Sequence, residues 1–203
     1  MAQVPAAEEH CLFAFDVLDA HYKKVAPPPP PFATDVACPL FVTWNKQVGR
    51  QLQLRGCIGC LKPLALSSIG DYALTSALRD RRFAPIDVNE LCSLHCTVQL
   101  LSEFEPCALF DWQIGVHGIT VSFVDAAAVQ RSAVYLPDVI PEQGWTQTEA
   151  LDSLIRKSGC QQHITDELRA SLQVERFTST KFSVAYDKWA ALRSQATTAR
   201  AFG

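Results

Sequence analysis

The chain has 203 residues, 48% of them hydrophobic and 19% charged, with a formal net charge of −3. That apolar content can bury a sizeable core and excludes wholesale disorder. The absence of a Lys and Arg excess excludes a sequence-independent grip on nucleic acid by the whole chain, leaving only a local basic groove open. Met1 to Glu9 carries acidic residues and no basic region followed by an apolar one, so it does not read as a signal peptide. No run of roughly 18 uncharged apolar residues is present to span a bilayer. The expected location is cytoplasmic or nuclear, with no membrane contact. In that reducing setting the eight cysteines are expected to form no disulfides.

Residues 1–9 read as a flexible N-terminus. From Glu8 to Val25, the spacing of Cys11, Phe15, Leu18, Tyr22 and Val25 predicts a helix with one apolar face. Pro27 to Pro31 stop it and form a short polyproline strut, a rigid connector before it is a ligand for a proline-binding domain. Leu40 to Trp44 and Leu52 to Leu61 are rich in strand formers. Ser68 and Asp71 have the spacing of a capping box opening a helix through Tyr72, Thr75 and Leu78. Arg79, Arg81 and Arg82 at its far end complement the helix dipole, a structural role first and an anion-binding one second. Leu94 to Leu100 alternates as a half-buried strand.

The second half repeats this grammar. Ile119, Val121 and Phe123 alternate in a strand, and Ala133 to Leu136 returns. Thr148 is the expected cap of a helix presenting Leu151, Leu154 and Ile155, closed by Gly159. Thr165 and Glu167 open a short helix, and a last strand runs near Phe177 to Val184. Residues 187–203 form a tail, helical or disordered. The fold class expected is α+β with a duplicated strand-helix unit.

The segment Leu54-Arg55-Gly56-Cys57-Ile58-Gly59 resembles the hallmark of the AMMECR-one-like family, named from a chromosomal region deleted in a syndrome of Alport features, midface hypoplasia and elliptocytosis. LFVTW at Leu40, YALTSALRDRRFAP at Tyr72, DWQIGVHGI at Asp111, YLPDVIPEQGW at Tyr135 and LDSLIRKSG at Leu151 also resemble family blocks, in order. The resemblance covers residues 10–186. It implies a two-lobed α+β fold with a central cleft, no established activity, and partners of a Memo-like and radical-SAM modification system, acting on nucleobases. Cys60, Cys92 and His95 depart from the family pattern, so chemistry built on them would not be a family property.

Three constellations carry chemistry. Cys57, between Gly56 and Gly59, is a candidate nucleophile, because glycines let a ligand approach closely. A nucleophilic thiol needs a base or an electropositive setting. His117, before Gly118, is the candidate base, and Arg55 a candidate anion binder if the strand kinks. The competing reading is a buried structural cysteine. Cys57-x-x-Cys60 with Cys92, His95 and Cys96 has the look of a zinc set, but an extended Cys92 to Cys96 would place its thiols about 13 Å apart. No metal is therefore expected. In Leu136 to Trp145, Glu142 is a candidate acid or base and Trp145 a stacking platform, against a bland alternative in which Trp145 plugs the core. No cofactor is named by the sequence. The expected function is binding of a small molecule or nucleobase near Cys57, with or without thiol chemistry; the alternative is a non-catalytic interaction module for protein or nucleic acid.

Overall fold

Alternation in the first strand sorts its side chains as expected. Leu40, Val42 and Trp44 are fully buried, while Phe41 and Thr43 are half-buried on the other face. The structure, a computed structural model, describes the backbone of residues 4–201 and the side chains of residues 4–195. Met1 to Gln3 of the expected flexible N-terminus, and Phe202 and Gly203 of the tail, lie outside the described residues. Six strands follow the hydrogen-bonded order β2-β1-β3-β6-β4-β5. They are β1 (Ala37–Val48), β2 (Gln51–Ala65), β3 (Leu94–Cys107), β4 (Gly118–Val124), β5 (Gln130–Tyr135) and β6 (Gln173–Ala185). The chain divides into two compact units, residues 1–101 with 180–203 and residues 102–179. Each contains the same run of strand, strand, helix and strand, with the first strand of the run in the middle: β2-β1-β3 in one, β5-β4-β6 in the other. This is an α+β fold.

In the first unit, α1 (Glu8–Lys23) and α2 (Ile69–Leu78) cover the face that carries Leu40, Val42 and Trp44. The buried side of α1 is broader than the sequence stripe, taking in Phe13, Ala14 and Val17 as well as Cys11, Phe15 and Leu18. The reason is close contact with α2: the Cβ position of Gly70 lies 3.3 Å from the Phe13 ring. Val25 is exposed, because Lys24 turns left-handed at φ 56° and ends the helix first. The final helix, α6 (Tyr186–Ala201), is tied to α1 by Trp189, whose Nε1 donates to Asp16 Oδ1 at 2.8 Å.

Ser68 makes no side-chain cap on α2, contrary to its spacing; a 3-10 turn at Leu66–Ser68 leads in and places Ser68 in helical backbone. The extended backbone of a cap residue is therefore absent there.

In the second unit, Ile119, Val121 and Phe123 of β4 meet Leu151, Leu154 and Ile155 of α4 (Gln147–Lys157). Thr146 caps α4, not Thr148. Its hydroxyl accepts from Glu149 N, and Thr146 N donates to Glu149 Oε2 at 2.8 Å. The three-residue spacing of Thr146 and Glu149 fits the reciprocal box; Thr148 already lies inside the first turn. Two short helices, α3 (Val139–Gln143) and α5 (Asp166–Ala170), flank α4 in sequence. Gly118 lets the Phe177 ring of β6 lie across β4, since a Cβ there would sit 2.3 Å from the ring.

On the face of β4 opposite Ile119 and Val121, the Thr120 hydroxyl is buried with no hydrogen-bond partner among the described residues. A buried unpaired hydroxyl costs about 1–3 kcal/mol, so Thr120→Val, which keeps the branched shape, is expected to stabilise the protein by about 1 kcal/mol. Thermal melts check this. A lower melting temperature for the variant would show that the hydroxyl is satisfied in solution.

Candidate functional site

The hydrogen-bonding register places Cys57 of β2 opposite Thr43 of β1, and Thr43 opposite Thr97 of β3. Side chains on one strand alternate between faces, so these three project from the face opposite Trp44 and the helices. Thr43 Oγ1 donates to Cys57 Sγ at 3.1 Å. Thr97 Oγ1 and Ser183 Oγ of β6 lie 2.5 Å apart. A row of thiol and hydroxyl groups, Cys57-Thr43-Thr97-Ser183, thus crosses four strands of the first unit. None of the four is buried. Phe41 stands one step along on the same face. Its ring covers Gly59, whose Cβ would lie 2.2 Å from Phe41 Cγ.

The backbone of Cys57 is held from the side away from β1. Its N–H donates to Asp80 Oδ2 at 2.9 Å, and its carbonyl accepts from Arg82 Nη2 at 3.0 Å. Asp80 is buried and also accepts from Arg82 N and Nε. Its carboxyl is held well below the usual carboxylate range, first by the Arg82 hydrogen bonds and then by the Cys57 peptide N–H. Arg82 is raised in turn, mainly by Asp80 and in smaller part by the Cys57 thiol. The Arg82 guanidinium thus lies against the Cys57 peptide, and a neighbouring cation is one of the settings that favour a thiolate.

Sequence reasoning missed Asp80 and took Arg82 for a helix-end charge. The string Asp80-Arg81-Arg82 reads as a solvated charge run; its closure on Cys57 is a contact across more than twenty residues.

Arg55 occupies a bulge, where Trp44 pairs with Gly56 and Asn45 with Leu54. Its guanidinium donates to both oxygens of Glu90, at 3.1 and 2.8 Å, and to the carbonyls of Ala84 and Pro85. These bonds, with the Asp87 N–H and Lys46, hold the Glu90 carboxyl down to about 2. All the Arg55 nitrogens are thus engaged inside the protein. Gly56 packs on α2, its Cβ position 2.0 Å from Ser76 O.

Cys57 with Arg55, Gly56 and Gly59 belongs to the first unit; His117, Gly118, Glu142 and Trp145 belong to the second. His117 Nδ1 accepts from Gln113 N at 2.9 Å, so the neutral ring carries its proton on Nε2 and the lone pair a base would use is already engaged. Glu142 is exposed on α3. Trp145 is half-buried against the second core, 5.7 Å from the Tyr135 ring. Among the cysteines of the zinc-like set, Cys96 pairs with Trp44 and is wholly buried, on the face opposite Cys57. Burial pushes its thiol well up. No disulfide joins cysteines among the described residues, and no described helix is long and apolar enough to cross a membrane.

Comparison with known proteins places these blocks in context. A family model described as AMMECR1 matches residues 11–182. An uncharacterised protein of Arabidopsis thaliana is 46% identical over 190 residues, covering 92% of this chain and 88% of its own length. An uncharacterised protein of Schizosaccharomyces pombe is 35% identical over 188 residues, with 90% and 94% covered. The crystal structure of an uncharacterised protein from Pyrococcus horikoshii superposes with a TM-score of 0.69 at 25% identity, covering 88% of this chain and 93% of that one.

Proposed function

The chain belongs to the AMMECR1 family, and from that premise we propose that the polar sheet face around Cys57 binds a small planar polar molecule of the nucleobase class. The observation that carries this reading is the cross-strand row Cys57-Thr43-Thr97-Ser183. Hydroxyls both donate and accept, which suits the mixed edge of a heterocycle. The Phe41 ring beside the row supplies an apolar surface for stacking. The Cys57 thiol, with Arg82 close by, is the group that would carry covalent chemistry, and His117 and Glu142 remain the proposed proton carriers. A non-catalytic interaction module is the competing reading, favoured by exposed Leu52 and Leu54 on β2 next to the same face.

Two measurements separate these readings. Free adenine, guanine, cytosine and uracil are titrated into the protein while backbone amide shifts are followed, and thiol labelling by iodoacetamide is read site by site. The expected result is saturable shifts at Thr43, Cys57 and Thr97 with at least one base. Cys57 is expected to label about ten-fold faster than the exposed Cys92, and bound base to slow it. Labelling no faster than Cys92 removes the thiol chemistry. Absence of any base-dependent shift removes the nucleobase reading and leaves the interaction module.

A further inference from the structure

In the second unit, Thr120 and Ser122 project from the face of β4 opposite its buried Ile119, Val121 and Phe123. The register sets Thr120 beside Glu175 and Ser122 beside Gln173 of β6. With Pro106 and Cys107 these residues line a pocket of about 490 Å³. That is within the range of small-molecule sites, roughly 300–1,000 Å³.

Folding leaves several of its polar groups unused. The Thr120 hydroxyl is buried without a partner among the described residues. The Glu175 carboxylate makes no hydrogen bond or ion pair among them either. The neighbouring cation, Arg176, is already bound by Glu105 and Asp111, and alternation turns it to the other face. Ser122 Oγ donates to Gln173 Oε1 over a long 3.3 Å, which leaves the hydroxyl oxygen able to accept.

The wall therefore offers one negative charge and several oxygen acceptors beside the carbon surface of Pro106. An anion would be repelled by Glu175. A metal ion is poorly served as well, because no group of three His, Cys, Asp or Glu side chains comes together among the described residues. We propose that this pocket binds a compact organic cation, an amine or amidine on a small apolar body. Its N–H groups would be taken by the Glu175 carboxylate and by the oxygens of Ser122 and Gln173. A carboxylate facing paired N–H donors is the strong form of such a contact. The proposal uses residues of the second unit alone and does not depend on the reading given for Cys57.

Calorimetric titration of the full chain with benzamidine tests the proposal, with benzoate as the shape-matched anion. The expected result is saturable benzamidine binding and none by benzoate. Glu175→Gln, which keeps the shape and removes the charge, should weaken benzamidine about ten-fold or more without lowering the melting temperature. Iodoacetamide labelling of the half-buried Cys107 should slow when benzamidine is bound. If Glu175→Gln melts lower than the parent, Ser122→Ala carries the same test, with an expected loss of about three-fold. Failure of benzamidine to saturate the parent, equal binding by benzoate, or undiminished binding in a folded variant overturns the proposal.

Discussion

Gly56→Ala is expected to cost more than about 3 kcal/mol of stability, the largest loss from a single methyl anywhere in the first unit. The added Cβ would lie 2.0 Å from the Ser76 carbonyl oxygen and 3.0 Å from its carbon. Both are backbone atoms of α2, and neither can swing aside. The helix is pinned there: Trp44 Nε1 donates to Ala73 O at 3.0 Å, and Ser76 Oγ to Tyr72 O at 2.7 Å. Moving α2 outward would open the layer of Trp44, Ala73 and Ala77. Gly59→Ala meets the Phe41 ring at 2.2 Å and the Leu40 carbonyl at 2.5 Å. The ring can be displaced but the Leu40 carbonyl cannot swing aside, so about 2–3 kcal/mol is expected. Urea titrations of the two variants give the comparison. A Gly56→Ala midpoint equal to that of the parent would mean that α2 does not rest on β2 at this glycine.

Asp80→Ala is expected to cost about 2–3 kcal/mol and to flatten the acid limb of the stability profile. The carboxylate accepts from two peptide N–H groups and from the Arg82 guanidinium. Breaking a fully buried pair costs roughly 3–5 kcal/mol, and here the exposed guanidinium regains water, which lowers the figure. The folded-state pKa of Asp80 lies below its unfolded value. Its contribution is therefore fully present above about pH 4, the unfolded carboxylate range, and is lost as pH falls through the depressed folded value. Glu90, held down to about 2, acts in the same direction over the same window. Melts of the parent and Asp80→Ala from pH 7 to pH 2 read this out. The gap between them should be widest near neutrality and close toward pH 2. A gap that stays constant with pH would show that the charge on Asp80 is not what the fold uses.

Local pattern was legible wherever one face of an element is buried. Leu40, Val42 and Trp44 declare the inward face of β1 because a strand alternates strictly. Thr165 was readable as a cap because the signal lies within four residues, and its hydroxyl does accept from Leu168 N. The neighbouring case failed: Thr146 caps α4 and Thr148 sits in its first turn, and only the Glu149 three residues after Thr146 marks the cap.

The surroundings of Cys57 were only half legible. Gly56 and Gly59 marked a close approach, and both have one, but the partners Ser76 and Phe41 come from other elements. Arg55 looked like a ligand group from its neighbours in sequence, whereas the bulge hands it to Glu90, 35 residues away. Thr120 and Glu175 gave no signal beyond alternation. Their pairing follows from the β4-β6 register, which no local pattern encodes.

The grip of Asp80 and Arg82 on Cys57 also bears on how molecules of this protein meet one another. β2 and β5 are the terminal strands of the hydrogen-bonded order, and a terminal strand is a ready template for pairing with another chain. At Cys57 the outward N–H and C=O of β2 are both taken by side chains. On β5 the Val134 carbonyl is taken by Lys157 Nζ at 2.8 Å. An incoming strand would have to displace a buried carboxylate and a guanidinium to pair at Cys57, and an ammonium to pair at Val134. Charge placed at the two borders thus guards the sheet against edge-to-edge aggregation, with no covering helix required.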